Sequence, residues 1–90
     1  MIYLITYDLN KPGKDYNSLY TALRQCQYIR DTGLDSVWFV SVATWNSTQI
    51  YEYLRVHLDV NDRLFITQIT RGTNYGWMNK EVWDWINARV

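Results

Sequence analysis

The sequence predicts a single α+β domain in which two helices cover one face of an antiparallel sheet. The chain has 90 residues, which is enough for one domain with one hydrophobic core. Its apolar pattern changes repeatedly between strand-like and helix-like periods, in the order strand, helix, weak strand, strand, helix, strand. This βαββαβ order is typical of the split βαβ, or ferredoxin-like, arrangement. Residues 1–71 are expected to form its core, and residues 72–90 a C-terminal loop and short helix.

The first strand and first helix are the clearest elements. The run from Ile2 to Leu9 is β-branched and aromatic with little polarity, as in a central strand that is buried on both sides. A Lys-Pro-Gly-Lys turn follows, and Asp15 is a candidate cap for the next helix. Apolar residues then recur at spacings of three and four, which predicts one buried helical stripe: Tyr16, Leu19, Tyr20, Leu23 and Cys26.

The middle of the chain reads as a hairpin followed by a helix. The segment from Ser36 to Ala43 predicts a strand with apolar residues on both faces, and a weaker strand is expected around Tyr28 to Arg30. Asn46 and Gln49 have the spacing of a capping box, with the Asn side chain capping the helix and the Gln side chain reaching back. Trp45 is expected to pack on Ile50 beside this cap.

The last strand and helix are predicted in the same way. "DVNDR", residues 59–63, is expected to supply turn residues that stop the second helix, and the strand follows from Leu64 to Thr70. Asn79 is a candidate cap for the C-terminal helix. Val82, Trp85 and Ile86 form the apolar face of that helix.

Composition limits the possible partners. Nine basic and nine acidic residues cancel, and no basic arm is present to follow a long phosphate backbone, so extended duplex binding is disfavoured. The chain has one cysteine, Cys26, which excludes an internal disulfide and fits a reducing compartment. It contains no apolar run of membrane-spanning length and no signal-peptide pattern. The expectation is a cytoplasmic protein without a membrane partner.

The aromatic content and the two-sided strands predict self-association. Five Trp and eight Tyr residues suit subunit interfaces or base-stacking surfaces. Two helices can cover only one face of the sheet, and the other face must still carry large side chains. Either the C-terminal helix or a second subunit is expected to cover it, and a homodimer is the preferred prediction.

Four stretches together resemble a known family. They are the strand end "ITYDLNKPGKDY", the strand "DSVWFV", the run "NDRLFITQIT" and the Gly-Trp pair at positions 76 and 77. In this order they resemble the SinR-like relatives of CRISPR-associated protein 2, over nearly the whole chain. The resemblance implies a ferredoxin-like symmetric dimer. Some members of that larger family are described as metal-dependent nucleases, and others act as nucleic-acid-binding scaffolds. The family's acid at the end of the first strand falls on Asp8.

Asp8 is the candidate catalytic and metal-binding residue. In a two-fold dimer, two Asp8 carboxylates near the axis can share one Mg²⁺ or Mn²⁺ ion, which would activate water against a phosphodiester. The neighbouring residues are candidate ligand-binding residues, because lysines and a Gly turn can position a phosphate. They are Tyr7, Asn10, Lys11, Gly13 and Lys14. The alternative is that Asp8 is a turn residue at a strand exit and that the lysines belong to a solvated turn.

A second candidate site lies in the loop after the last strand. Arg71, Asn74, Tyr75 and Trp77 combine a cation, an amide and two aromatic rings between glycines. Such a loop can stack a base and hydrogen-bond its edge. The alternative is that Tyr75 and Trp77 pin the C-terminal helix onto the sheet or onto a second subunit.

Three functions from different classes remain open at this point. The preferred one is a binding module, without turnover, for a phosphodiester ligand, either a short nucleic acid or a small or cyclic nucleotide. The second is a metal-dependent nuclease that uses Asp8. The third is a protein-interaction or assembly module. A small phage-type defence or anti-defence factor would fit the first or the third.

Overall fold

The computed structural model describes all 90 residues and contains four strands and three helices. The helices are short, at eight residues each, and a 3₁₀ turn, Arg55–His57, extends the second one. In chain order the elements are β1 (Ile2–Asp8), α1 (Asn17–Arg24), β2 (Gln27–Ile29), β3 (Val37–Ser41), α2 (Ser47–Leu54), β4 (Arg63–Ile69) and α3 (Lys80–Asn87).

The four strands form one antiparallel sheet in the order β2-β3-β1-β4. β1 is therefore a central strand, as its apolar composition predicted. In the register, Ile5 lies opposite Trp38 of β3 and Ile66 of β4. α1 connects β1 to β2 across β3, and α2 connects β3 to β4 across β1. All the elements expected from the hydrophobic pattern are present, with strand bounds shifted by one or two residues.

The first face of the sheet carries the larger core, which α1 and α2 cover. Side chains of alternate strand residues point to the same face, so this face takes the odd positions of β1 and the even positions of β3. Trp38 is the largest fully buried side chain there. The buried members of this core are Tyr3, Ile5, Leu19, Ala22, Leu23, Trp38, Val40, Ile50 and Leu54.

The second face carries a smaller core, which α3 covers. Val82 and Ile86 of α3 are buried against Phe39 of β3. Leu4 of β1 and Ile69 of β4 pack around them. The sequence left open whether the C-terminal helix or a second subunit covers this face. The C-terminal helix, α3, covers this part of it within the chain itself.

One end of the second face stays uncovered by α3. Thr6 pairs with Phe65 there, and Asp8 pairs with Arg63, at the far end of β1 and the start of β4. The Phe65 side chain is 61 % exposed. This apolar ring in solvent is the part of the sheet that still lacks a cover.

The starts of two helices are held by hydrogen bonds between residues close in the chain, and the start of the third is held by a hydrogen bond to a distant residue. Asn46 and Gln49 form the predicted capping box, with both hydrogen bonds at 2.9 Å. Asp15 accepts a hydrogen bond from the Asn17 N–H at the start of α1. The prediction for Asn79 is wrong, because its side chain makes no capping bond. The Asn79 N–H instead donates to Asp31, a buried carboxylate 48 residues away in the chain.

None of the three helices has the length and apolar composition needed to cross a membrane.

Candidate functional site

Asp8 lies at the exposed end of β1, opposite Arg63 of the edge strand. The two side chains form no salt bridge, and Arg63 donates to the backbone carbonyl of Asp62. Asp8 lines a shallow depression of about 250 Å³ together with Thr6 and Phe65. That depression contains no second carboxylate.

The chain by itself does not assemble a donor set for a divalent cation. No three His, Cys, Asp or Glu side chains come together in a way that could hold a metal ion. Mg²⁺ prefers oxygen ligands, whereas Asp8 has an arginine as its cross-strand neighbour. Asp8 would therefore need carboxylates from outside its own subunit to bind a metal, which is the arrangement that the sequence prediction assumed.

The β1–α1 loop is held by Asp62, a carboxylate that is only 8 % exposed. Its Oδ1 accepts from the Asn10 N–H at 2.7 Å, and its Oδ2 accepts from the Asp59 N–H at 2.7 Å. The Tyr16 hydroxyl donates to both oxygens, at 2.7 and 2.8 Å. The β1–α1 loop and the turn before β4 are thus tied together by one side chain.

These contacts change the acidity of both partners. Burial by itself raises the pKa of Asp62, but the hydrogen bonds from Asn10, Asp59 and Tyr16 stabilise the charged form and lower the pKa below its usual value. Burial raises the pKa of Tyr16, and its hydrogen bond to Asp62 raises it further. Asp62 is therefore ionised and Tyr16 protonated at neutral pH, which is the pairing that the loop needs.

Lys14 contributes to the same tie. Its ammonium group donates to the His57 carbonyl at 2.9 Å, lies 3.3 Å from the Asp59 carboxylate, and sits over the Tyr16 ring. The Asn10 side chain donates to the Asn61 carbonyl at 3.0 Å. Lys14 and Asn10, both predicted ligand-binding residues, are thus engaged in contacts within the chain.

The other predicted ligand-binding residues near Asp8 differ in accessibility. Lys11 is exposed and has no carboxylate partner. Gly13 has φ +76°, a conformation that favours glycine, and its N–H makes no hydrogen bond within the chain. Tyr7 is half-buried, and its hydroxyl accepts from the Trp38 Nε1 at 3.0 Å. Lys11 and the Gly13 amide are therefore free to meet a ligand, whereas Tyr7 belongs to the core edge.

The loop after β4 forms the second candidate site. Gly72 has φ +80°, which reverses the chain directly after the strand. The Asn74 Nδ2 donates to the Thr70 carbonyl at 3.1 Å, and its Oδ1 accepts no hydrogen bond within the chain. The Arg71 side chain donates at 2.7 Å to the main-chain oxygen of Val90, the last residue of the sequence, and has no carboxylate side chain as a partner.

A cavity of about 310 Å³ opens between this loop, α3 and the second face of the sheet. Nine of its eleven lining residues are hydrophobic. Its floor includes Leu4 and Phe39, and Leu34 of the β2–β3 loop contributes to its wall. This is an apolar space that one planar ring could enter.

Tyr75 and Trp77 stand at the rim of this cavity with their side chains in solvent. Both are fully exposed, with a relative exposure of 102 % for Tyr75 and 100 % for Trp77. Their use to pin α3 onto the sheet is ruled out, because rings used in that way would be largely buried. Their use to pin α3 onto a second subunit stays a prediction. Two free aromatic rings beside an apolar cavity form a surface that can accept a ligand or a partner.

Two buried carboxylates, Asp31 and Asp62, were not among the residues predicted to matter. The sequence assigned Asp62 to a turn and gave no sign that it holds the β1–α1 loop. Asp31 accepts from the Gly33 N–H at 2.8 Å and from the Asn79 N–H at 2.7 Å, so it joins the β2–β3 loop to the start of α3. The local signal for Asp31 was an Asp followed two residues later by Gly, which is typical of an Asx turn.

The chain matches no protein-family model, and no curated protein matches it.

Proposed function

We propose that this protein binds a phosphodiester ligand, a short nucleic acid or a small nucleotide, at the surface formed by residues 71–77 and the adjoining cavity. One observation carries the proposal: two fully exposed aromatic rings, Tyr75 and Trp77, stand at the rim of an apolar cavity of about 310 Å³. No turnover is proposed for this site, because no Asp, Glu, His, Cys or Lys side chain lines the cavity.

Stacking would supply most of the binding energy. Large aromatic side chains that are exposed on a small protein are energetically unfavourable, because the transfer of apolar surface out of water lowers the free energy. A nucleobase that stacks on Trp77 or Tyr75 removes that apolar surface from water, and one stacked base is worth roughly 1 to 3 kcal/mol. The apolar cavity beside the rings suits the flat face of a base better than it suits a charged group.

Polar groups of the same loop would orient the ligand. The free Oδ1 of Asn74 can accept from the exocyclic amine of a base at the cavity entrance. Arg71 lies on the same loop and carries a positive charge with donors left over from its bond to Val90. A phosphate attached to the stacked nucleoside would find its cation there. One arginine also fits the zero net charge of the chain, which favours a compact ligand.

We further propose that the domain is a ferredoxin-like fold that acts as a homodimer. The strand order β2-β3-β1-β4, with each helix crossing over one strand, supports the fold assignment. The exposed Phe65 at the end of the sheet that α3 leaves uncovered supports a second subunit at that place.

The alternative function is a metal-dependent nuclease, and one observation favours keeping it. Asp8 lies on the same uncovered end of the sheet as Phe65, paired with Arg63. A two-fold contact centred on this end would bring two Asp8 carboxylates towards one axis. Within one chain the residues do not fit a metal ion, so this function would depend on carboxylates from a second copy.

Fluorescence polarisation with labelled oligonucleotides and labelled nucleotides separates these functions. The wild-type protein is titrated into each probe with Mg²⁺, with Mn²⁺ and with chelator, and the probe is then tested for cleavage. We expect binding that does not require the metal, no cleavage, and a loss of roughly 5- to 150-fold in affinity for Trp77→Ala, as the removal of one stacked base predicts. Tyr51→Ala serves as the matched control, because Tyr51 is an exposed ring on α2 outside the site.

Three results would contradict the binding proposal. Cleavage of the probe that disappears in Asp8→Asn would favour the nuclease. Unchanged affinity in Trp77→Ala would remove the stacking surface from the site. Absence of binding to every probe would leave the protein-interaction function, in which the exposed rings contact another protein.

A further inference from the structure

The loop between β2 and β3 lies at one edge of the sheet and reaches both of its faces. The proposed base-binding cavity is on the second face, and Arg30 is on the first. Leu34 of this loop lines the cavity. Arg30, at the start of the same loop, donates a hydrogen bond to the carbonyl of Asp35, the residue next to Leu34. These contacts place a cation on the same loop as a residue that lines the cavity. The inference below rests on the function proposed above.

We propose that the ligand is a single-stranded oligonucleotide, with one base in the cavity and the following backbone crossing the β2–β3 loop to a phosphate contact at Arg30. A small or cyclic nucleotide is therefore not the preferred ligand. The site on this chain has two parts, an aromatic part at Trp77 and a cationic part at Arg30.

Arg30 is held in a fixed orientation. Its guanidinium lies 4.5 Å from the centre of the Trp38 ring, and the Asp35 carbonyl accepts one of its N–H groups. A stacked and hydrogen-bonded guanidinium loses little further freedom when it binds a phosphate, and its planar donors match phosphate oxygens. The exposed arginine has no carboxylate partner within 4.0 Å, so its charge is not neutralised within the chain.

A second aromatic ring lies beside this arginine. Tyr28 packs on Trp38 with 4.9 Å between ring centres and is 39 % exposed. Tyr28 and Arg30 are two residues apart and share the first face of the sheet, whereas Ile29 between them packs in the core under α3. A backbone phosphate at Arg30 could therefore have its base on Tyr28, which repeats the ring-and-cation pairing of the cavity.

The position of β2 leaves room for such a path. β2 is an edge strand of only three residues, and no strand pairs with its outer side. The cavity opens on the second face of the sheet and Arg30 lies on the first, so a ligand that contacts both must pass around this edge. A flexible chain of several nucleotides can pass around it and make separate contacts on the two faces.

The test compares a mononucleotide with single-stranded oligonucleotides of two to eight residues, using labelled deoxycytidine probes, which carry the exocyclic amine expected to donate to Asn74, and several salt concentrations. We expect affinity to rise from the mononucleotide to the octamer. For the octamer, Arg30→Gln should make the slope of log affinity against log salt shallower by about 0.7, the contribution of one phosphate of a single strand. Arg30→Lys should restore most of that slope, because it keeps the charge. Mononucleotide affinity should be equal in all three proteins.

Arg89→Gln is the matched control. The Arg89 guanidinium also stacks on a tryptophan, 4.1 Å from the Trp85 ring centre, and also donates to a backbone carbonyl. It lies after the C-terminal end of α3 and does not line the cavity. Its replacement should leave both the affinity and the salt slope unchanged, and urea unfolding should show that each variant is folded.

The failures of the two proposals are distinguishable. If the mononucleotide and the octamer bind equally, or if Arg30→Gln keeps the wild-type salt slope while Trp77→Ala still weakens binding, the path to Arg30 is refuted and the cavity site stands. If no probe binds, or if Trp77→Ala has no effect on either probe, the proposed function itself is refuted and the path falls with it.

Discussion

The replacement Ile86→Ala tests whether α3 is an integral part of the fold. Ile86 is 2 % exposed and belongs, with Val82 and Phe39, to the small core of the second face. Replacing a buried isoleucine by alanine costs roughly 2 to 5 kcal/mol, depending on how well the site can relax. Ile86 also lines the cavity of about 310 Å³, so part of its surface already lacks contacts. The expected loss is therefore in the lower half of that range, about 2 to 3 kcal/mol.

This loss is large for a domain of this size. At roughly 0.05 to 0.15 kcal/mol per residue, a 90-residue chain has a free energy of unfolding of about 5 to 13 kcal/mol. Urea unfolding followed by circular dichroism and by tryptophan fluorescence measures the change, and the two signals should give one transition. Val56→Ala is the control, because Val56 is 70 % exposed and its replacement should change stability by less than about 0.5 kcal/mol.

A loss below about 1 kcal/mol for Ile86→Ala would contradict this prediction. The second face would then not depend on α3 for its cover in solution. Separate transitions in the two signals would contradict it as well, because α3 would then unfold independently of the sheet. In either case the second face would need a cover other than α3 in solution.

Three further predictions concern single side chains. Asn46→Ala removes the capping box of α2 and should lower the free energy of unfolding by about 1 kcal/mol in urea, whereas Thr48→Ala on the exposed side of the same turn should change it little. Asp31→Ala leaves the Gly33 and Asn79 N–H groups without their acceptor and should lower the free energy of unfolding by about 1.5 to 3 kcal/mol for each bond. Amide exchange at the start of α3 should become faster, and unchanged exchange there would contradict the role of Asp31. The pKa of folded Asp62 lies below its usual value of 3.8, so its contribution to the free energy of unfolding is complete above that value and is lost as the pH falls through the folded pKa. Stability measured between neutral and acid pH should therefore fall more steeply in the wild type than in Asp62→Asn. Parallel curves would show that this carboxylate is not linked to folding.

The order and type of the elements could be predicted from the sequence because the patterns that indicate them involve residues close together in the chain. Ile2 to Leu9 has the composition of a strand buried on both sides, and β1 lies between two other strands. The capping box at Asn46 needs only residues three apart, and both of its bonds are present. Such patterns involve few residues close in the chain, so they hold where no distant group competes, as Asp31 does at Asn79.

The candidate site was predictable in composition but not in arrangement. The combination of Arg71, Asn74, Tyr75 and Trp77 was visible in the sequence, whereas the exposure of both rings and the cavity beside them were not. An aromatic residue before a helix fits an interface and a buried staple equally well, and only the placement of α3 on the sheet distinguishes them.

The local pattern of residues was enough to establish where strands and helices form and which side chains share a face, because the periods of 2 and 3.6 residues are properties of the local backbone. The uses of Asp62, Asp31 and Lys14 became visible only in the folded chain. Asp62 meets Asn10 across 52 positions, and Asp31 meets Asn79 across 48. A buried carboxylate takes whichever N–H groups the packing of distant segments brings to it, and no local pattern specifies those partners.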